Sequence, residues 1–336
     1  MWTFANIQVD GVVVLGPMAG ITSLSYRNFM KEKGIALSYS EMISDYGLIY
    51  ENKETYKYLR TSEAERPVGL QLFGGSKESL LKALKIVENS DTIYDFIDIN
   101  LGCPVPKVTK TGAGSAWLKR PEELFEMMKA LVQASKKPIT AKIRIGWDEQ
   151  SINVEEVVRG LEDAGVSLIA IHARTTKQLY MGTPHYELLK DFRLKMKVPL
   201  VISGDIFTLD DAIKALEWTK AEGVMVARGG LGNPRLVQQI DTFYKIGVRL
   251  PDSTLNERLA DLSTFVPMLI EEKGEATAIS QIRGIGTHFL SGFSHMKPFK
   301  VKMTQLTTYA DFLALIEEIR SVANSTEIEV KTTKNI

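Results

Sequence analysis

Short apolar, β-rich runs begin near Val12, Ala36, Val68, Asp95, Ile139, Leu168, Leu200 and Gly223, and helix-like segments follow most of them, such as 76–89, 121–135, 153–164 and 208–218. That alternation is the rhythm of repeated βα units on a parallel sheet. Eight units within the first 240 residues point to an α/β chain built as a (β/α)8 TIM barrel. Ahead of the first run, Asp10-Gly11 lies between two β-prone stretches and predicts a tight hairpin at the barrel floor. From about 241 the pattern changes. Leu255 to Lys273 and Thr308 to Val322 have amphipathic helical spacing, and no strand-like alternation stands out. The expected organisation is therefore a catalytic barrel over 1–240, a small all-helical C-terminal domain over 241–324 and a frayed polar tail over 325–336.

Side chains alternate across a strand, so one parity of each barrel strand faces the helices and the other faces the axis. In the run from Ile139 to Ile145 the odd positions are apolar, which turns Lys142 and Arg144 inward near the strand's C-terminal end. The same parity selects His172 and Arg174, Asp98 and Asn100, and Gln71. Singly, each has an ordinary structural reading: a satisfied core histidine, a paired lysine, a loop-capping glutamine. Together, polar groups from four strands meet at one rim, and each costs burial energy unless a partner or ligand meets it. That rim is the C-terminal mouth, where active sites of this architecture lie.

The seventh unit ends in Ser203-Gly-Asp-Ile206 and the eighth in Ala227-Arg-Gly-Gly-Leu-Gly232. Small residues admit a ligand close to the backbone, free amides at a helix start favour an anion, and Arg228 adds a fixed positive charge. Loops seven and eight are the usual phosphate site of such barrels. FMN, running from a phosphate there to a ring near Lys142 and Gln71, fits the pattern, and so does a sugar phosphate.

Composition narrows the classes. Lys+Arg and Asp+Glu both number 41, so the global electrostatic signature of a nucleic-acid binder is absent and any RNA affinity must come from local clusters such as Lys297, Lys300 and Lys302. Cys103 is the one cysteine, which excludes an intramolecular disulfide and a thiolate metal cage. No metal site, membrane segment, targeting segment or obligate protein partner is expected, and the setting is read as reducing and cytoplasmic.

Cys103 sits in the loop Asn100-Leu-Gly-Cys-Pro-Val-Pro-Lys-Val-Thr-Lys-Thr-Gly-Ala-Gly-Ser115, after a rim Asn and beside Lys107 and Lys110. A free Cys is usually a small buried hydrophobe; here the Gly/Pro loop favours exposure over the mouth. Its ordinary pKa of about 8.5 would leave it a proton donor at neutral pH.

This loop, with Gly16-Pro-Met-Ala-Gly-Ile-Thr22, Gln71-Leu-Phe-Gly74, Lys142-Ile-Arg-Ile-Gly-Trp147, Ile171-His-Ala-Arg-Thr175, Ser203-Gly-Asp-Ile206, Arg228-Gly and Ile282-Arg-Gly-Ile-Gly-Thr-His-Phe-Leu-Ser-Gly292, resembles the bacterial tRNA-dihydrouridine synthases, particularly their B-type branch, over roughly residues 7 to 320. The resemblance implies reduction of the uracil C5–C6 bond in tRNA by FMN, itself reduced by NADPH, with NADH possible. It implies hydride delivery to C6 and protonation of C5 by Cys103. By the same resemblance Pro17, Met18 and Ala19 line the flavin, Gln71 and Lys142 contact its ring, and His172 lies beside it. Ser203, Gly204, Asp205, Ala227 and Arg228 would hold the phosphate, and Asn100, Arg144 and Arg174 are candidates for the target uracil. The helical domain would bind tRNA. Three positions depart from the family pattern: Ser203 for its usual Asn, Ala173 for Gly, and Ala227 for the Gly that commonly precedes the Arg. The first two are expected to change side chains near the cofactor.

Two rivals share parts of this pattern. One is an FMN barrel acting on a small molecule, dihydroorotate-dehydrogenase-like or ene-reductase-like, which has no need of a helical domain beside the mouth. The other is a non-catalytic RNA-binding protein, which has no need of Cys103.

Overall fold

The structure is a computed structural model in which residues 1–325 are described. Its strands run in parallel pairs. Val13–Leu15 pairs with Gly223–Val226, and the order continues through Leu200–Ser203, Ile169–His172, Ile139–Arg144, Phe96–Leu101 and Val68–Phe73 to Ser38–Tyr39. A bridge between Val14 and Leu37 closes the ring, with Leu15 N–H donating to the Leu37 carbonyl at 2.9 Å and Ala36 N–H to that of Val13 at 2.8 Å. The second barrel position is broken into Ser38–Tyr39 and Ile43–Ser44, both paired with Val68–Phe73. The expected (β/α)8 barrel is present.

Strand alternation divides the apolar residues into two clusters. Ile97, Ile99, Ala141, Ile143, Ile169, Ile171 and Ile202 pack outward against the helices. Phe96, Leu168, Ala170, Val201 and Met225 fill the lumen with Val14, Leu37 and Tyr39. Register then sets inward polar residues side by side: Asp98 beside Thr140, Asn100 beside Lys142, Arg144 beside His172. Helix starts follow from capping chemistry. Ser76 Oγ accepts from Ser79 N–H ahead of Lys77–Glu88, and Thr208 with Asp211 forms a capping box ahead of Leu209–Thr219.

The floor differs from expectation. The hairpin pairs Trp2–Phe4 with Ile7–Val9 and turns at Ala5-Asn6, where Ala5 has φ +45°. Asp10-Gly11 lies beyond the paired residues and leads into the first barrel strand. The dipeptide has turn chemistry, but Phe4 and Val9 set the register because both bury in the lumen cluster, Phe4 edge-on to Phe96 at 5.3 Å.

The helix Arg235–Ile246 runs through position 240 and ends on Gly247, whose φ is +73°. Beyond it come the helices Leu255–Lys273, Glu275–Phe289, Lys297–Thr304 and Tyr309–Ser325. The second and third were not legible as helices. Gly284 and Gly286 weaken the second, each costing about 1 kcal/mol of intrinsic propensity. At Gly286 a Cβ would meet the Met303 sulfur at 2.7 Å, so the missing side chain is what lets the next helix pack. The helical region leans on the first barrel helix, Leu24–Lys31, through Tyr26 and Phe29, each 5.5 Å from Phe265, and on the turn after it through Lys33–Asp261 at 2.7 Å. Ser325 ends the last helix, and the rest of the expected frayed tail lies outside the described residues. Among the described residues no helix is long and apolar enough to cross a membrane.

Candidate active site

At the C-terminal mouth lies a cavity of about 390 Å³, within the range of small-molecule sites. Pro17, Met18, Ala19, Asn100, Cys103, Lys142, Arg144, His172, Ser203, Gly204, Asp205, Ala227 and Arg228 line it, the first three as the resemblance implies and the others as parity and loop chemistry anticipate. Two expected residues do not. Gln71 lies below the cavity, fully buried between Asp98 and Asn100. Arg174 turns away, its donors taken by Asp205 and by the carbonyls of Met181 and Gly182. Parity could not foresee this, because Arg174 lies just past the strand Ile169–His172 where the chain begins to loop.

The cysteine loop is pinned from both sides. Asn100 Oδ1 accepts the backbone N–H groups of Gly102 at 3.2 Å and Cys103 at 2.9 Å, and the Cys103 carbonyl accepts Ser115 N–H at 3.1 Å and Oγ at 2.9 Å. Gly114, with φ +60°, permits the second contact: a Cβ there would stand 2.7 Å from the Cys103 carbonyl oxygen. Burial pushes the thiol's pKa up, against a weaker downward pull from Val105 N–H, Lys142 and Arg144. The group is a half-buried, protonated thiol facing a cavity.

Across from it, burial and the neighbouring Arg144 push Lys142 down to about 8. Arg144 is itself pushed down to about 10 by burial. Its Nε donates to the Gly102 carbonyl at 3.0 Å and its Nη1 to those of Thr175 and Leu179 at 2.7 and 2.8 Å. His172 is held well below its ordinary value by burial and by four cations, Lys142, Arg144, Arg174 and Arg228, so its ring is neutral. This wall suits a ligand that is electron-rich or gains negative charge.

The other end is built from loops seven and eight. Gly204 has φ +132° and Asp205 φ +48°. A Cβ on Gly229 would fall 1.9 Å from the Ile206 carbonyl oxygen, so only glycine lets the two loops meet. Arg228 is part exposed at the rim and bonds Asp205 through Nη2 at 2.9 Å. Of the three departures, Ser203 and Ala227 line the cavity, while Ala173 is fully buried in the outward core and does not. The expectation that Ala173 alters the cavity is corrected by its parity, opposite to that of His172.

Sequence reasoning missed Ile21, Met42, Val105, Tyr180 and Phe207, which also line the cavity. Tyr180 lies 4.6 Å from the Arg228 guanidinium and 5.5 Å from that of Arg144, and Phe207 lies 5.5 Å from Arg228. The apolar run Leu179-Tyr180-Met181 inside a polar loop was the available signal.

The family model described as "Dihydrouridine synthase (Dus)" matches residues 13–326. A "Probable tRNA-dihydrouridine synthase" of Rhodobacter capsulatus is 36% identical over 321 residues, covering 93% of this chain and 95% of its own. One of Treponema pallidum is 31% identical over 321 residues, covering 93% and 94%. The "tRNA-dihydrouridine synthase B" of Shewanella oneidensis is 29% identical over 310 residues, covering 92% and 95%. Among solved structures, a variant of NCR from Zymomonas mobilis is similar at a TM-score of 0.51 and 15% identity, over 81% of this chain and 96% of that one. 2-Naphthoyl-CoA reductase in its 2-naphthoyl-CoA complex is similar at 0.54 and 10%, over 71% and 51%. Both likenesses concern the fold alone. The sequence matches run nearly end to end, through strands, cysteine loop and helical region alike, and the chain belongs to the dihydrouridine synthase family.

Proposed function

We propose that this enzyme reduces uridine to 5,6-dihydrouridine in tRNA, with FMN held at the barrel mouth and NADPH as reductant. The observation that carries the reading is the pairing, in one cavity, of a protonated cysteine thiol with a glycine-built, arginine-rimmed anion end. The residues fit FMN: Gly204, at φ +132°, and Gly229, packed on the Ile206 carbonyl, let loops seven and eight close together at the far end of the cavity, Arg228 offers charge to a phosphate, and Lys142 is a desolvated cation with no carboxylate hydrogen-bonded to it among the described residues. When bound, reduced FMN supplies hydride to uracil C6.

The chain's own groups do the rest. Cys103 holds a proton for C5, where negative charge develops, and burial keeps it protonated at neutral pH. Asn100 positions the cysteine loop through its side-chain oxygen. Neutral His172 forms part of the wall without adding a further charge. Among the described residues no carboxylate is bonded to Lys297 or Lys300 in the helical region, whereas Lys302 pairs with Glu318 at 2.5 Å. The first two are the local cations proposed to meet RNA phosphates. A cytoplasmic setting accords with the free thiol.

The test is spectroscopic. The purified protein should be yellow, bleach with NADPH under anaerobic conditions and recover its colour with unmodified tRNA, yielding dihydrouridine by mass spectrometry. A colourless protein that takes up no FMN, or a reduced one reoxidised by dihydroorotate or small enones but not by tRNA, refutes the reading.

A further inference from the structure

Below the cavity floor, Asp98 is fully buried and lines no part of the cavity. Its Oδ1 accepts Thr140 Oγ1 at 2.6 Å and its Oδ2 accepts Gln71 Nε2 at 2.7 Å. Gln71 Oε1 accepts Asn100 Nδ2 at 2.8 Å, and Asn100 Oδ1 accepts the Gly102 and Cys103 backbone N–H groups. Asp98, Gln71 and Asn100 thus form an unbroken relay from a buried carboxylate to the loop that carries the thiol.

The relay has a direction, and one member sets it. The two ends of a carboxamide are nearly alike in shape, so neighbours decide which way it points. Gln71 and Asn100 could each lie reversed. An ionised carboxylate only accepts, which turns the Gln71 NH2 toward Asp98 and its oxygen toward Asn100. Asn100 must then offer its NH2 to Gln71, leaving its oxygen for Gly102 and Cys103. Reversal would set an NH2 against two backbone N–H donors and release the loop. Alternation on Val68–Phe73 and Phe96–Leu101 brings the three together, with Gln71 directly beside Asp98 in the ladder. Burial raises the Asp98 pKa to about 6, while the bonds from Thr140 and Gln71 pull it down.

We propose that Asp98 is a positioning residue for the reaction: its carboxylate sets the direction of the Gln71 and Asn100 amides and so holds Cys103 where it protonates the substrate. This rests on the reading of Cys103 as the proton donor.

The experiment uses the FMN-loaded full chain. In D98L the relay loses its fixed end. Deuterium uptake by the backbone amides of residues 102–103 should quicken at least tenfold, and single-turnover reoxidation by tRNA should slow about tenfold or more, with flavin content unchanged. D98N should restore both in part, because its oxygen can still accept from Gln71 when its NH2 turns to the Thr140 hydroxyl, although an amide, unlike a carboxylate, does not forbid the reverse orientation. A purely structural carboxylate would show no such split between D98L and D98N, both following their loss of melting temperature. If D98L does not fold, Gln71→Met cuts the relay one link further on and should quicken the same exchange. Unchanged exchange in D98L or Gln71→Met, turnover undiminished in D98L, or a D98N as impaired as D98L each overturns the proposal. Undiminished turnover in Cys103→Ala overturns instead the reading beneath it, so the two failures are seen in different variants.

Discussion

The guanidinium of Arg174 closes a two-pronged bond on the carboxylate of Asp205, Nη1 to Oδ1 at 2.8 Å and Nη2 to Oδ2 at 2.5 Å. Arg174 is 1% exposed, and its other bonds hold the Met181 and Gly182 carbonyls, so one side chain ties loop six to loop seven. Arg174→Ala should destabilise the protein by about 3 kcal/mol, the scale for removing one partner of a buried pair. Arg174→Lys should not restore it, because an ammonium lacks the planar fork. Urea unfolding checks this, and a loss below about 1 kcal/mol in the Ala variant counts against the role.

Arg228→Ala tests the anion end. A charged hydrogen bond is worth roughly 1.5 to 3 kcal/mol, or about one to two decades in affinity. FMN titration should show that loss with the melting temperature little changed, since the Arg228–Asp205 pair is part exposed and worth little by itself.

Cys103→Ala should purify yellow and still be reduced by NADPH, but its reoxidation by tRNA should slow by about two to four decades, the usual contribution of a positioned acid. The pH dependence has a definite sign. An acid works while protonated, and burial raises this thiol's pKa. Alkylation of the wild-type thiol by iodoacetamide, which consumes thiolate, should rise with a midpoint above the ordinary value of about 8.5, and tRNA reduction should fade over the same range. A midpoint below that value would contradict the buried position.

Lys142→Met should make the flavin-free protein more stable at pH 7 while abolishing turnover. The folded-state pKa of Lys142, about 8, lies below its unfolded value, so burying the ammonium costs stability in full below pH 8. The cost is relieved as pH rises from about 8 to 10.4. The gain should reach up to about 3 kcal/mol at pH 7, from about 1.36 kcal/mol per pKa unit, and shrink across that window in melts at several pH values.

In the helical region, replacing Lys297 and Lys300 together with Ala should weaken tRNA binding and flatten its salt dependence by about 0.9 in log–log slope for each phosphate no longer neutralised. Lys302→Ala should do neither, because Glu318 already neutralises it. Equal effects from both variants would mean that overall charge, not these two lysines, binds RNA.

Much of the site was legible because strand geometry is local. A residue's parity follows from its neighbours one and two places away, so Lys142, Arg144, His172, Asn100 and Asp98 could be turned inward from spacing alone; the first four line the mouth, and Asp98 lies beneath it. Glycine chemistry is local too, and it marked loops seven and eight. Signals failed where a residue's fate depends on something distant. Asp10-Gly11 has the chemistry of a turn, but Phe4 and Val9 needed the lumen and moved the turn to Ala5-Asn6. Glu275–Phe289 looked weak as a helix because the reason for Gly286 is Met303 on another helix.

By itself, then, the sequence determined the number of βα units, the inward face of each strand and the chemical types gathered at the rim, since all three follow from spacing along one chain. Only the tertiary structure decided what each rim residue is bonded to. It drew Arg174 out of the cavity to Asp205, sank Gln71 beneath the floor, and brought Tyr180 in from a loop to stand beside Arg228. The physical reason is that a buried polar group must find its partners, and those partners come from strands and loops far apart in sequence, which only closure of the barrel makes neighbours.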